Sequence, residues 1–469
     1  MTDTRQDPVG VKLPLVPGPG LFGHAAGFRA DMLRTLGEIA LQSEGVTSFR
    51  LGPQKAVVVS SPDAMREVLI DKAADFDRGE RVRRALEPAL GQGLLVSEGE
   101  LHAKQRKLVL PKFTSRKVGR HANVVVSEAR KRIQSWSDGA ELNLLSETSA
   151  LTMDIINRLL FSVPLDKDRQ VAAAITTILE WEMRALTGIV PTPLSWPTAR
   201  NRVMREAIDF LYDHIGRFTA ERQGEPVGKH GDLLDELMSA RYDDGSAMTQ
   251  EQLLHETASI WGASQETSAD AQAWALYVLG HYPEIRERVQ AEVDGAVGSR
   301  PIRYEDLAAL PYTLQVFKET LRMFPPASML VRGTLRDTVL GGYRVRRGTP
   351  IYLAIHAMHH DPAVYPEPSR FDPARFDKET ERSMHRQAFL PFGAGKHVCI
   401  GSHLALMEGH LLLATFAQQI DVELISSAPI EPTLVINLRP AGGVPARVHR
   451  RPGASRADAT DSSPSHSMS

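Results

Sequence analysis

Cysteine is almost absent from this sequence: among 469 residues only Cys399 carries a thiol. A lone cysteine excludes an intrachain disulfide, a multi-thiolate zinc site and an iron–sulfur cluster needing four thiolates of this chain, and it fits a reducing compartment. A dominant charge is missing too. The 55 Lys plus Arg against 57 Asp plus Glu leave a net charge of -2, so no global field draws the chain to nucleic acid or to an acidic surface. No run of 18 apolar residues occurs, and Met1–Lys12 lacks the basic-then-apolar pattern of a signal peptide, so no membrane anchor is expected. Internal repeats are also lacking. What remains is ordinary globular composition, 42% hydrophobic and 24% charged, in a chain long enough for up to three domains or one large one.

Residues 1–12 read as a flexible N-terminus, and Pro14, Pro17, Gly18, Pro19 and Gly20 as a stiff lead-in with no element of its own. Residues 450–469, rich in Ser, Ala and Asp, read as a disordered tail. A single domain is expected over 13–449. Strand signals are confined to Lys55–Ser60, to the Leu340–Leu353 region and to Thr433–Arg447, where Pro440, Gly442, Gly443 and Pro445 suit a hairpin. The rest is helical, which predicts a mainly α fold with small β-sheets (α+β). Pro191, Pro193 and Pro197 mark a loop, and Asp361–Arg375 a Pro-rich meander.

The longest helix is predicted from a capping box at Thr249 and Gln252 to Leu279, with Gly280 and Pro283 ending it. It would span about 45 Å, enough to cross a domain. Its middle, Trp261-Gly262-Ala263-Ser264-Gln265-Glu266-Thr267-Ser268, is a polar patch in a helix otherwise too apolar for the surface, and buried polar groups need partners or a purpose.

Cys399 sits in Phe392-Gly-Ala-Gly-Lys-His-Val-Cys-Ile-Gly401, ahead of an apolar helix that starts near Leu404. Glycines 393, 395 and 401 let a bulky group lie against the backbone. At a helix N-terminus the thiolate is stabilised by N–H groups and the helix dipole, as a metal ligand requires. The competing use of a lone cysteine is as a small buried hydrophobe. Among thiolate cofactors, iron–sulfur clusters and structural zinc need more sulfurs than the chain has, whereas haem iron can take one axial thiolate.

These residues resemble the haem-binding signature of the cytochrome P-450 family: Phe392, Gly393, Gly395, His397, Cys399, Gly401 and, in the following helix, Ala405 match it position by position. The resemblance implies a cytochrome P-450 fold holding haem b between the long helix and the 392–401 loop, with Cys399 as axial ligand. It implies cofactor contacts from Phe392, Gly393, His397, Gly401 and Ala405, and carboxylate partners in His102, Arg106, Arg332 and His397. Glu319, Arg322 and Arg375 are implied to form a buried structural charge network. Ala263-Ser264-Gln265-Glu266-Thr267 resembles the family's oxygen-side motif, with Glu266 as proton relay and Thr267 orienting bound dioxygen. Ser264 stands where the family usually has Gly. The implied substrate pocket comprises Leu94, Leu95 and Val96, then Trp261 and Ala263, then Ser328, Met329, Leu330 and Val331, and finally Val435 with Ile436.

The resemblance spans about Leu13–Val448. The implied activity is haem-thiolate monooxygenation, in which one oxygen atom of O2 enters a hydrophobic small molecule by hydroxylation or epoxidation. The sequence has no G-x-G-x-x-G loop, so NAD(P)H is expected to act only through a separate ferredoxin or flavodoxin and its reductase. Lys104, Arg106, Lys107, Lys112, Arg116 and Lys117 offer a basic docking face for such a donor. A peroxide-driven hydroxylase and a non-catalytic haem-binding sensor are the alternatives. A monomer in a bacterial cytoplasm, soluble, with no nucleic-acid partner, completes the expectation.

Overall fold

Helix dominates the computed structural model, which describes residues 11–162, 169–188, 193–226 and 228–452. Pro191 therefore lies outside the described residues, as do most of the two terminal segments. Among the described residues no helix is long and apolar enough to cross a membrane.

The long helix runs Gln250–His281, with the Thr249 hydroxyl accepting from the Gln252 N–H at 3.1 Å. It passes through Gly280 and stops at Tyr282, where Pro283 opens the next helix. At about 48 Å it crosses the fold. From Ala269 to Leu279 it is buried almost all round, packed against helices Leu144–Phe161, Pro311–Met323 and Ser402–Gln419. A second group of helices, Glu80–Leu90, Arg169–Thr187 and Ala199–Glu221, packs together over its other side.

The mixed five-stranded sheet runs, edge to edge, Val46–Leu51, Gln54–Val59, Pro350–Leu353, Leu330–Thr334, Phe76–Asp77. Its last two strands are antiparallel, with Phe76 opposite Thr334 and Asp77 opposite Gly333. Extending that register by one residue sets Arg78 against Arg332. Gly341, Gly342 and Gly348, all at positive φ, break the 340–353 region into three strands shared between two sheets.

Two expectations need correction. Val11–Lys12 is not a free end: it pairs in parallel with Tyr343–Arg344. The C-terminal hairpin, Pro432–Val435 with Asn437–Pro440, turns at Ile436 (φ 67°), not at the Pro/Gly cluster. That cluster instead leads into Pro445–Arg450, which joins Ile420–Leu424 and Ala140–Asn143 in another sheet. Turn composition marked a bend correctly but could not say which strands it connects.

Candidate active site

The 392–401 loop folds back so that the Cys399 N–H donates to the Phe392 carbonyl at 2.9 Å. Gly395 is obligatory there: its φ is 71°, and a Cβ would fall 1.8 Å from the Leu69 carbonyl oxygen. Gly401 differs. A Cβ on it would meet only Cys399 Sγ, at 3.9 Å, so the backbone opens onto the space beside the sulfur. Cys399 is exposed although it lies deep in the fold, which means that its sulfur borders an interior cleft. Burial raises its thiol pKa, outweighing the Gly401 N–H and the Arg106 charge that pull the other way. The Gly401 N–H does favour the thiolate, as expected, but desolvation outweighs it, and a bound metal would favour deprotonation. Phe392 and Ala405 are half-buried around the loop.

The long helix is exposed in its middle only at Gly262 and Ala263. Leu90 of the overlying helix comes within 3.6 Å of where a Gly262 Cβ would stand. Trp261, expected in the pocket, turns into the core and donates its indole N–H to Asn157 at 3.0 Å. Ser264 and Thr267 donate to the Ile260 and Ala263 carbonyls, each at 2.7 Å, so the extra Ser264 hydroxyl is absorbed by the helix. Thr267 keeps its oxygen lone pairs for an acceptor role. In the 91–97 loop Leu94 and Val96 are buried and Leu95 is half-buried. The loop is pinned where the Leu94 N–H donates to Glu256 at 3.1 Å. Met329, Leu330, Val331, Val435 and Ile436 are half-buried, whereas Ser328 is enclosed.

Cations converge beside the cysteine loop. Arg78 reaches His397 Nδ1 at 3.0 Å, and His102 Nε2 lies 3.1 Å from the same atom. Arg106 donates to the Val398 carbonyl at 2.8 Å. Arg332 is 5% exposed, and its one hydrogen bond is to the carbonyl of Val331. Against these stand Glu98, 3.2 Å from His397 and 3.7 Å from Arg78, and Asp77, whose charge acts on Arg332. Burial would raise the Glu98 carboxyl, but hydrogen bonds from His397 and the Arg78 backbone, with their charges, hold it at about 2. Burial and the repulsion of Arg332 lower Arg78 to about 10. His102, driven to about 3 by burial and by His397 and Arg78, is neutral and serves as a hydrogen-bonding group. Like charges facing each other across a ladder are destabilising, and the Arg78 Nε, 3.7 Å from Glu98, makes no hydrogen bond among the described residues. This excess of buried positive charge fits the two carboxylates of a haem, as Gly401 and Cys399 fit its face and iron.

Two further charge groups flank the cleft. Glu266 pairs with Arg439, whose Nε also lies 3.5 Å from the fully buried Asp270. Neither Asp270 oxygen receives a hydrogen bond, and burial pushes its carboxyl up to about 8. Behind the cysteine loop, Glu319 and Arg322 form a bidentate pair at 2.7 and 2.8 Å, both fully buried, with Arg375 at 3.5 Å. Arg322 also donates to the His359 and Pro368 carbonyls, at 2.7 and 2.9 Å. His359 accepts from the Leu390 N–H at 3.1 Å and faces the Arg322 carbonyl at 3.0 Å, tying the network to the cysteine loop.

Sequence reasoning missed Arg78, Glu98, Arg439 and Asp270. Asp270 had a signal, an acid inside the apolar run after Ser268. Arg78 and Arg439 had none, because both are placed by strand pairing.

Comparison with known proteins agrees. The family model described as cytochrome P-450 matches residues 16–441. A cyclooctat-9-en-7-ol 5-monooxygenase of Streptomyces melanosporofaciens is 34% identical over 405 residues, 85% of this chain and 87% of that protein. A pentalenene oxygenase of Streptomyces avermitilis is 28% identical, covering 88% and 91%. A crystallised cytochrome P-450 haem domain shares the fold with a TM-score of 0.87 at 23% identity, over 96% of this chain and all of that one.

Proposed function

This chain belongs to the cytochrome P-450 family and is a P-450 monooxygenase; from that premise we propose that it oxygenates a hydrophobic cyclic hydrocarbon skeleton, drawing electrons from a separate ferredoxin or flavodoxin. The observations that support the reading are an accessible cysteine in a glycine-framed loop, an exposed Gly262–Ala263 segment in an otherwise buried stretch of the long helix, and cations beside the cysteine loop with nitrogens that lack hydrogen bonds. Two relatives whose names denote oxygenation of cyclooctat-9-en-7-ol and of pentalenene support a terpenoid substrate class.

Haem b bound there supplies the iron that takes O2 and the oxidising power, which a thiolate ligand favours. The protein's part is to place and to protonate. Cys399 would hold the iron, and Arg78, Arg332, His102 and His397 would hold the carboxylates; Arg106 fixes the loop through the Val398 carbonyl. Gly262 and Ala263, having little side chain, would leave room along the exposed stretch of the long helix for O2 and substrate. Half-buried Leu95, Met329, Leu330, Val331 and Val435 exclude water and pack an apolar molecule. Thr267 accepts a hydrogen bond at the cleft, and Glu266 delivers protons to it. Because Glu266 rests on Arg439, it must release that guanidinium to turn inward, and Asp270 is placed to take the guanidinium over.

The donor protein is proposed to dock on the basic helix Gly99–Val109 and its continuation. Part of that face is already neutralised: Lys107 pairs with Asp243, and Lys112, Lys117 and Arg120 share Glu236. Lys104 and Arg116 have no salt bridge among the described residues and remain for a partner.

The test is the reduced, CO-bound difference spectrum, followed by substrate-dependent NAD(P)H and O2 consumption with a ferredoxin system. A thiolate-type Soret band and oxygenated terpenoid product are expected. A band of histidine type, or turnover with peroxide alone and none with the electron donor, would overturn the reading.

A further inference from the structure

The roof of the cleft contains one charged group that the proposed mechanism does not use. In the helix Arg169–Thr187, Ala173, Thr176, Glu180 and Arg184 face solvent. Glu182 lies on the opposite face, with Val171, Ala174, Ile178 and Trp181, and is 4% exposed. That face packs against the helix Glu80–Leu90, whose Leu90 stands over Gly262, and against the Pro432–Val435 strand. Glu182 has no hydrogen bond or ion pair among the described residues, although a buried carboxyl left alone is costly. Trp181 beside it does have its partner, Asn201, at 2.9 Å. Glu182 is not among the fully enclosed polar groups that lack a hydrogen bond, so its unpartnered oxygens keep a little accessible surface. Burial alone pushes the carboxyl up to about 8, which leaves it neutral at pH 7, able both to donate and to accept.

We propose that Glu182 is a specificity-determining residue that hydrogen-bonds a hydroxyl already present on the substrate, remote from the carbon that is oxidised. The inference rests on the monooxygenase reading and narrows it, since the substrate is an oxygenated rather than a bare hydrocarbon skeleton. The helix that carries Glu182 packs against Glu80–Leu90, Ala199–Glu221 and the Pro432–Val435 strand, elements separate from the cysteine loop, so the hydroxyl would be held away from the reacting carbon. The reaction that supplies this substrate must therefore leave a hydroxyl behind, either an earlier hydroxylation or a cyclisation ended by water.

The experiment titrates the haem-loaded enzyme with two matched pairs, α-cedrene with cedrol and dodecane with 1-dodecanol, and reads the Soret shift on binding. The wild type is expected to bind the alcohol of at least one pair about tenfold more tightly, the size of one buried hydrogen bond. Glu182→Leu should abolish that preference and improve hydrocarbon binding, and Glu182→Gln should keep it. A wild type with no preference for either alcohol, or with no shift from either, overturns the inference, as does a preference that survives in Glu182→Leu. The wild-type comparison decides even if the leucine variant fails to take up haem. A wild type without a thiolate CO spectrum would overturn the monooxygenase reading instead.

Discussion

Two buried charge clusters lie on opposite sides of the cysteine loop, and they differ in one respect. In the Glu319–Arg322 network the Arg322 guanidinium spends its N–H groups on a carboxylate and on backbone carbonyls, and Glu319 also accepts from the Asp372 N–H at 2.9 Å. In the Arg78–Arg332 cluster Glu98 and Asp77 face several cations, and Arg78 Nε and His397 Nε2 make no hydrogen bond among the described residues. Arg375 Nε apart, the first cluster satisfies its own hydrogen bonds and holds the fold, whereas the second is left for something else to complete. The same contrast separates Glu319 from Glu182 and Asp270.

The comparison is broken most severely at its centre. Cys399→Ala should eliminate the thiolate CO band and all donor-dependent turnover, because no other thiol exists in the chain; absorption spectroscopy and product analysis check this. Next in size, Arg322→Ala should cost about 3–5 kcal/mol in denaturant unfolding, by stranding a buried carboxylate, and should do so with or without haem. Arg332→Leu should act in the opposite sense. The haem-free protein keeps or gains stability as a like-charge contact is relieved, while haem release becomes about ten- to a hundredfold faster through loss of charged hydrogen bonds. Haem transfer to apomyoglobin would measure that rate, and equal destabilisation of the haem-free protein by both variants would erase the distinction between the clusters.

The smallest expected effect concerns Asp270. Its pKa is raised from 3.8 to about 8, so between those values the folded state holds a proton that the unfolded chain releases. Its contribution to stability therefore falls as pH rises through that window. Asp270→Asn should melt a few degrees above the wild type at pH 9 and close to it at pH 4, as read by calorimetry. The same variant should raise peroxide release per NADPH if Asp270 takes over Arg439 when Glu266 turns inward.

Local patterns were the legible part of the sequence. The long helix could be read because Thr249 caps it and its apolar positions recur, and the cysteine loop because glycines are required where backbone comes close, as at Gly395. The Glu319–Arg322 pair is local too, one turn apart on a single helix. Arg78 was not legible, since its position depends on the register of two strands far apart in sequence. Trp261 was misread for a related reason. Helical periodicity places a residue on a face, but Asn157 of another helix decides whether that face is core or cleft. The Ile436 turn escaped because its left-handed backbone is held by the pairing around it and is not favoured by a β-branched residue.

The register that brings Arg78 to Arg332 has a kinetic side. Arg78 and His397, which meet at 3.0 Å, are 319 positions apart along the chain. Contacts of such high order close late, once intervening helices have collapsed and the loop entropy has been met. The guanidinium clamp is therefore among the last features to assemble. During biosynthesis, cofactor capture should mark the completion of folding rather than seed it, and a nascent chain cut short of residue 397 should have no site at which to retain haem.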